Sequence, residues 1–100
     1  MKVIFAPSAK IDIRRIGERI RSESSPERAA RFVRELMDHC DTLADMPRRY
    51  PLVPRYEHWG MRRSVYRDYL IFYRVREQMV EIAHVIHGAM DYESLLFPDT

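Results

Sequence analysis

The sequence predicts an α+β domain in which two N-terminal helices pack on a four-stranded, mainly antiparallel sheet, in the order β-α-α-β-β-β. Three observations predict it. Gly60–Met90 holds the longest β-prone runs, with apolar and polar residues in alternation. Two charged pairs, Arg67–Asp68 and Glu77–Gln78, break those runs at hairpin spacing. Before them lie two stretches with apolar residues every three or four positions, the period of a helix buried along one side.

Taken in order, Lys2–Ala6 is a short β-prone run ended by Pro7, and it is expected to join the later strands as a fourth. Ser8 can cap a helix running to about Glu23, with Asp12 near the positive end of its dipole. Ile11, Ile13, Ile16 and Ile20 form its apolar stripe. Ser25–Pro26–Glu27 restarts the chain as a second helix, with a cap, a proline in the first turn and an acid beside it. That helix should reach about Asp45. Its stripe runs through Ala29, Phe32, Val33, Leu36, Met37, Cys40, Leu43 and Ala44, so Cys40 reads as a small buried hydrophobe.

Met46–Trp59 contains Pro47, Pro51 and Pro54, which exclude a helix and a central strand. Long connections in small domains are uncommon and often functional. This one interleaves arginines with Tyr50, Tyr56, His58 and Trp59, a composition suited to an interface hot spot. Tyr50 and Tyr56 read as pins to the core, while Trp59 suits either role. Three strands follow: Met61–Tyr66, Tyr69–Val75 and Met79–His87.

Unbroken alternation places Tyr69, Ile71, Tyr73, Val75, Val80, Ile82, His84 and Ile86 under the helices. Arg63, Val65, Leu70, Phe72, Arg74, Glu81, Ala83, Val85 and His87 then share the opposite face, with Arg74 across from Glu81. That face is apolar in its middle and charged at its rim, which marks an interaction surface. Leu70, Phe72, Ala83 and Val85 are its candidates for burial by a partner chain. Trp59, Arg63, Arg67, Arg74 and His87 are candidates for contact with a target.

Length and composition bound what the chain can do. One hundred residues, 46% of them apolar, make one folded domain spanning 1–100. No apolar run approaches the ~20 residues of a membrane span, and MKVIFAPSAK lacks the apolar region and cleavage site of a signal peptide. With one cysteine there is neither a disulfide frame nor a cysteine metal cluster, and a reducing, cytoplasmic setting is expected. Net charge is +2, but residues 48–76 set eight arginines against Glu57 and Asp68. Such a segment is either a face for an acidic partner or a solvated surface. His84 and His87, three apart on a strand, should point to opposite faces and cannot chelate together. There is no Gly-rich phosphate loop and no nucleophile triad, so no cofactor, metal or catalytic residue is expected.

Phe72–Tyr73–Arg74–Val75, Val80–Glu81–Ile82 and Val85–Ile86–His87–Gly88–Ala89–Met90–Asp91, together with the opening Ser8-x3-Asp12-x3-Ile16, resemble the RelE/ParE superfamily of bacterial toxins, and its ParE branch more closely. The resemblance covers nearly the whole chain. It implies a type II toxin that inhibits DNA gyrase, arrests growth or stabilises plasmids, and is neutralised by a cognate ParD-like antitoxin. Nucleic acid would be met only through the target or the antitoxin complex. The ribonuclease branch implies cleavage of ribosome-bound mRNA by basic side chains and a tail aromatic. At those positions this chain has Leu70, Met90 and Leu96 or Phe97, and Arg63 is the one cation that could still serve. An inactive toxin fold that only binds its antitoxin is the third possibility.

Overall fold

The computed structural model describes residues 1–96. A short strand, β1 (Lys2–Phe5), leads into helices α1 (Pro7–Glu23) and α2 (Pro26–Thr42). After the long connection come β2 (Arg62–Tyr66), β3 (Tyr69–Arg76) and β4 (Met79–His87), and then a one-turn helix, α3 (Tyr92–Leu96). The sheet order is β1-β4-β3-β2, with β1 parallel to β4 and the other pairs antiparallel. The α+β architecture predicted from the sequence is the one observed.

Both hairpins turn where the charged pairs predicted. Tyr66 faces Tyr69, Arg76 faces Met79, and Arg74 faces Glu81 with a 3.0 Å ion pair. Each turn begins with a residue in the left-handed region, Arg67 at φ 53° and Glu77 at φ 54°. Ser25 caps α2 as expected, accepting from the Arg28 amide. Two helix boundaries differ from expectation. Helix α2 stops at Thr42, three residues early, and Leu43–Asp45 continues as turns. Helix α1 begins at Pro7 behind Ala6, without a side-chain cap. Ser8 instead donates its hydroxyl to the Ala83 carbonyl on β4. Ile11, placed in the apolar stripe by its spacing, is exposed.

The main core lies between the helices and one sheet face. It joins Ala9, Ile13 and Ile16 of α1 and Leu36 and Cys40 of α2 to Ile71, Tyr73, Val80, Ile82 and Val85. The Tyr73 hydroxyl crosses this layer to reach the Pro47 carbonyl at 2.6 Å.

The alternation is broken once. Tyr73 pairs with Ile82 but Phe72 pairs with His84, which leaves Ala83 as an extra residue, a β-bulge. From there every β4 side chain changes face relative to an unbroken register. Val85, expected on the open face, stands opposite Ile71 in the main core. Ile86, expected beneath the helices, joins a second core with Phe72, Val53, Tyr56 and Met61. His87 stands opposite Tyr69 on the helix side, with the rings edge-to-face at 5.4 Å. The expected bare apolar face is therefore corrected: Phe72 has no exposed surface at all.

What covers it is the long connection together with α3. The Val53 amide bonds Met61 O at 2.8 Å and the Arg63 amide bonds Pro51 O, so the connection runs back along β2. A 3-10 turn, Glu57–Trp59, ends at Gly60 with φ 68°, a conformation that glycine takes without strain. From the other side Tyr92 lays its ring 5.0 Å from Phe72, and Leu96 packs on the same cluster. Phe97, weighed as a tail aromatic, lies outside the described residues. Phe72→Ala should destabilise the protein by about 3–5 kcal/mol, read from the urea midpoint. Met46→Ala, at an exposed site, should stay within about 0.5 kcal/mol.

Candidate functional site

The nine residues singled out by the sequence do not form one surface. Arg63 and Arg74 do share a face: Arg63 pairs across from Phe72, and Arg74 lies two residues along β3. Arg63 is half-buried, with its guanidinium 5.9 Å from the Tyr92 ring and within hydrogen-bond reach of the Tyr92 hydroxyl. Arg74 is held by Glu81, which also takes Arg76 at 3.6 Å. Trp59 is 42% exposed at the end of the 3-10 turn, its ring packed between Tyr56 and His58.

Arg67 belongs elsewhere. It lies in the β2–β3 turn, pairs with Glu35 of α2 at 3.2 Å, and stacks over Tyr66 and Phe32. Its neighbour Tyr66 holds the guanidinium firmly charged by hydrogen bonding, with a smaller contribution from Glu35. Of the four apolar candidates, Phe72 and Val85 are sealed inside this chain, while Leu70 and Ala83 are half-buried against the second core.

Sequence reasoning missed the role of the opening Ser8-x3-Asp12 spacing. Strand β1 pairs with β4 only as far as Ile82, so β4 continues beyond it with an open edge. One turn of α1 separates Ser8 from Asp12, which sets both side chains along that edge. Ser8 donates to Ala83 O at 2.7 Å; Asp12 Oδ2 accepts from the Val85 amide and from His84 Nδ1, each at 3.0 Å. His84, expected beneath the helices, is thus hydrogen-bonded at a half-exposed edge instead of lying in the core. Ile82 and Val85 are three apart, so a bulge is needed for both to reach the main core.

Three concavities accompany these elements. The outer groove between α1 and α2 has an apolar floor of Ile13, Gly17, Ala29, Val33 and Met37, with charges of both signs on its rim. A cleft of about 370 Å³ between α1, the end of β4 and α3 is lined by Arg15, Arg19, Tyr69, His84, His87 and the α3 leucines. A polar hollow gathers Arg28, Arg31 and Arg67 around Glu35.

Two titratable groups, one buried and one half-buried, serve the fold. Burial, reinforced by Asp41, pushes the Cys40 thiol up to about 12, which keeps it protonated and inert. His39 bonds Ser64 Oγ at 3.0 Å; burial and then Arg49 hold its pKa below the usual imidazole value. Among the described residues no group of side chains could hold a metal ion, and no helix is long and apolar enough to cross a membrane.

Two helices laid on one face of a β1-β4-β3-β2 sheet, with the other face closed by a loop and a terminal turn, define a RelE/ParE-superfamily fold. The chain matches the ParE toxin family of type II toxin–antitoxin systems, parDE, over residues 3–92, and it belongs to that family. Among solved structures it is similar to a chain described as "Chromosomal ParDE TA system from P. aeruginosa". That similarity has a TM-score of 0.74 at 17% identity and covers 87% of this chain and 95% of that one. No curated protein is similar enough to count as a match.

Removing Asp12 should strand the Val85 amide and His84 together. Asp12→Ala should therefore cost about 1–3 kcal/mol, whereas Asp38→Ala on the exposed side of α2 should cost less than about 0.5 kcal/mol, both by chemical denaturation. A lowered folded-state pKa means that the unfolded chain takes up the His39 proton first. Stability should fall as pH drops through the unfolded value of ~6.5 towards the lower folded one. His39→Gln, which does not titrate, should flatten that part of the stability–pH profile.

Proposed function

We propose that this chain is a toxin that inhibits DNA gyrase and is held inactive by a ParD-like antitoxin. The observation that carries the reading is the ParE family match across residues 3–92. The similar solved structure, described as a ParDE system, supports the antitoxin part. The surface chemistry supports a protein or protein–DNA target. Trp59, Arg63 and Arg74 combine an exposed ring with cations on the side closed by α3, the residue types that dominate interface energetics. Arg67 and His87 face other directions and are assigned no part in this contact.

Phe72 and Val85 are enclosed by the chain's own residues, so a partner has little of them to bury. The outer α1–α2 groove, with its apolar floor and part-exposed Met37, suits an amphipathic helix of the antitoxin better. Capture of such a helix as it folds would inactivate the toxin without any chemistry.

At two positions where a ribonuclease of this superfamily needs cations, this chain has Leu70, packed on the second core, and exposed Met90. That composition supports inhibition over phosphate-ester cleavage. In a supercoiling assay the purified chain should stop gyrase, and the double variant Trp59→Ala, Arg63→Ala should be about tenfold weaker. Growth arrest on induction, with gyrase unaffected at large excess and codon-spaced cuts in ribosome-bound message, would overturn the reading.

A further inference from the structure

The cleft between α1, the end of β4 and α3 plays no part in the reading above, yet it gathers two arginines and two histidines along one wall. Arg15 and Arg19 lie four residues apart on α1 and line the same cleft. Among the described residues neither forms an ion pair, whereas Arg55, Arg67, Arg74 and Arg76 are each matched to a glutamate. Arg19 is nonetheless held in place: it donates to the Tyr69 hydroxyl and lies 5.8 Å from that ring. The one carboxylate of the cleft, Asp12, is occupied by His84 and the Val85 amide. The cleft is therefore rich in positive donors with no internal anion left to meet them.

The two histidines complement each other. His87 Nδ1 accepts from the Ala89 amide at 3.1 Å, so a neutral ring carries its proton on Nε2 and presents a donor. His84 donates from Nδ1 to Asp12, so a neutral ring keeps Nε2 as an acceptor. Two guanidinium groups and one imidazole N–H match the oxygens of an oxyanion. An imidazole acceptor matches a hydroxyl on that anion. A carboxylate has no such hydroxyl, and neither has sulfate. A phosphate monoester has one whenever it holds its last proton. Ile16, Val85, Ile86, Leu95 and Leu96 make the remaining wall apolar, and the volume of about 370 Å³ is within the range of small-ligand sites.

We propose that this cleft binds a phosphate monoester, with Arg15 and Arg19 on its charge, His87 donating to it and His84 accepting its residual hydroxyl. The source of the ester is left to the experiment, since a free phosphate and a nucleotide offer the same head group. Binding of inorganic phosphate, adenosine 5′-monophosphate and sulfate is measured by calorimetry on the full chain at pH 7, where about a tenth of a phosphate monoester still holds its last proton.

Saturable binding of phosphate or of the nucleotide, at least about tenfold tighter than sulfate, is the expected result. Tighter binding of the nucleotide than of inorganic phosphate assigns the apolar wall to a nucleoside; equal binding assigns the site to phosphate alone. Arg15→Gln, whose guanidinium holds no other described group in place, should weaken binding about tenfold without moving the thermal midpoint. His84→Ala should erase the preference over sulfate, and Arg14→Gln, on the outer groove, should leave binding unchanged. No saturation, sulfate bound as tightly as phosphate, or equal loss in the Arg14 and Arg15 variants would overturn the proposal. None of these outcomes depends on gyrase inhibition, so the two readings fail separately.

Discussion

The open edge of β4 is the constraint from which much of the molecule follows. Strand β1 has four residues and reaches only Ile82, while β4 runs on to His87. An unpaired strand edge carries backbone donors and acceptors that must find partners or water, and it invites pairing with another chain. Here the first turns of α1 supply the partners through Ser8 and Asp12. Those two contacts fix how α1 lies along the strand. They bring Ala9, Ile13 and Ile16 onto the sheet and Arg15 and Arg19 over its end.

The bulge at Ala83 belongs to the same solution. Without it, Val85 would face away from the helices and the main core would lose an apolar side chain at that end. With it, one strand serves two cores, Ile82 and Val85 on one side and Ile86 on the other. The second core then needs its own cover. Residues that look like a loose connection supply it: Val53 and Tyr56 are almost fully buried, and Arg55 and Tyr56 both reach Glu93 to tie the connection to α3. Asp91 starts α3 by accepting from the Ser94 amide and hydroxyl, and those bonds lower its pKa.

Much of this was legible in the sequence because periodicity and turn chemistry are local. Both hairpins, the Arg74–Glu81 pair, the Ser25 cap, the burial of Cys40 and the pinning role of Tyr56 follow from residues within a few positions of one another. The faces of the last five β4 residues were not legible by alternation alone. One inserted residue reverses them, and the side chains that meet the strand edge there, Ser8 and Asp12, lie some seventy positions away. Helix α3 was missed for a related reason. Five residues have too little helical propensity to stand alone, so it exists through Tyr92 on Phe72 and Glu93 on Tyr56. The candidate site suffered most, because assigning residues to a surface multiplies every error of face.

In so small a domain the cover of a sheet face decides which residues remain for recognition. Apolar side chains on the second sheet face looked like an interface only while their own cover was unrecognised. With the cover in place they serve stability, and what remains for recognition is the charge that the fold does not neutralise. Paired cations such as Arg67 and Arg74 already have carboxylates, and a partner would have to compete for them. Among the described residues Arg63 rests on the Tyr92 ring without a carboxylate, and Arg15 and Arg19 pair with none either. Burying a charge is tolerable only when its partner arrives with it, so these three stand to gain from an anionic ligand. They lie on two different sides of the sheet, Arg63 beneath α3 and the other pair along α1. A small toxin-family domain can thus offer two separate surfaces to anionic partners from one framework.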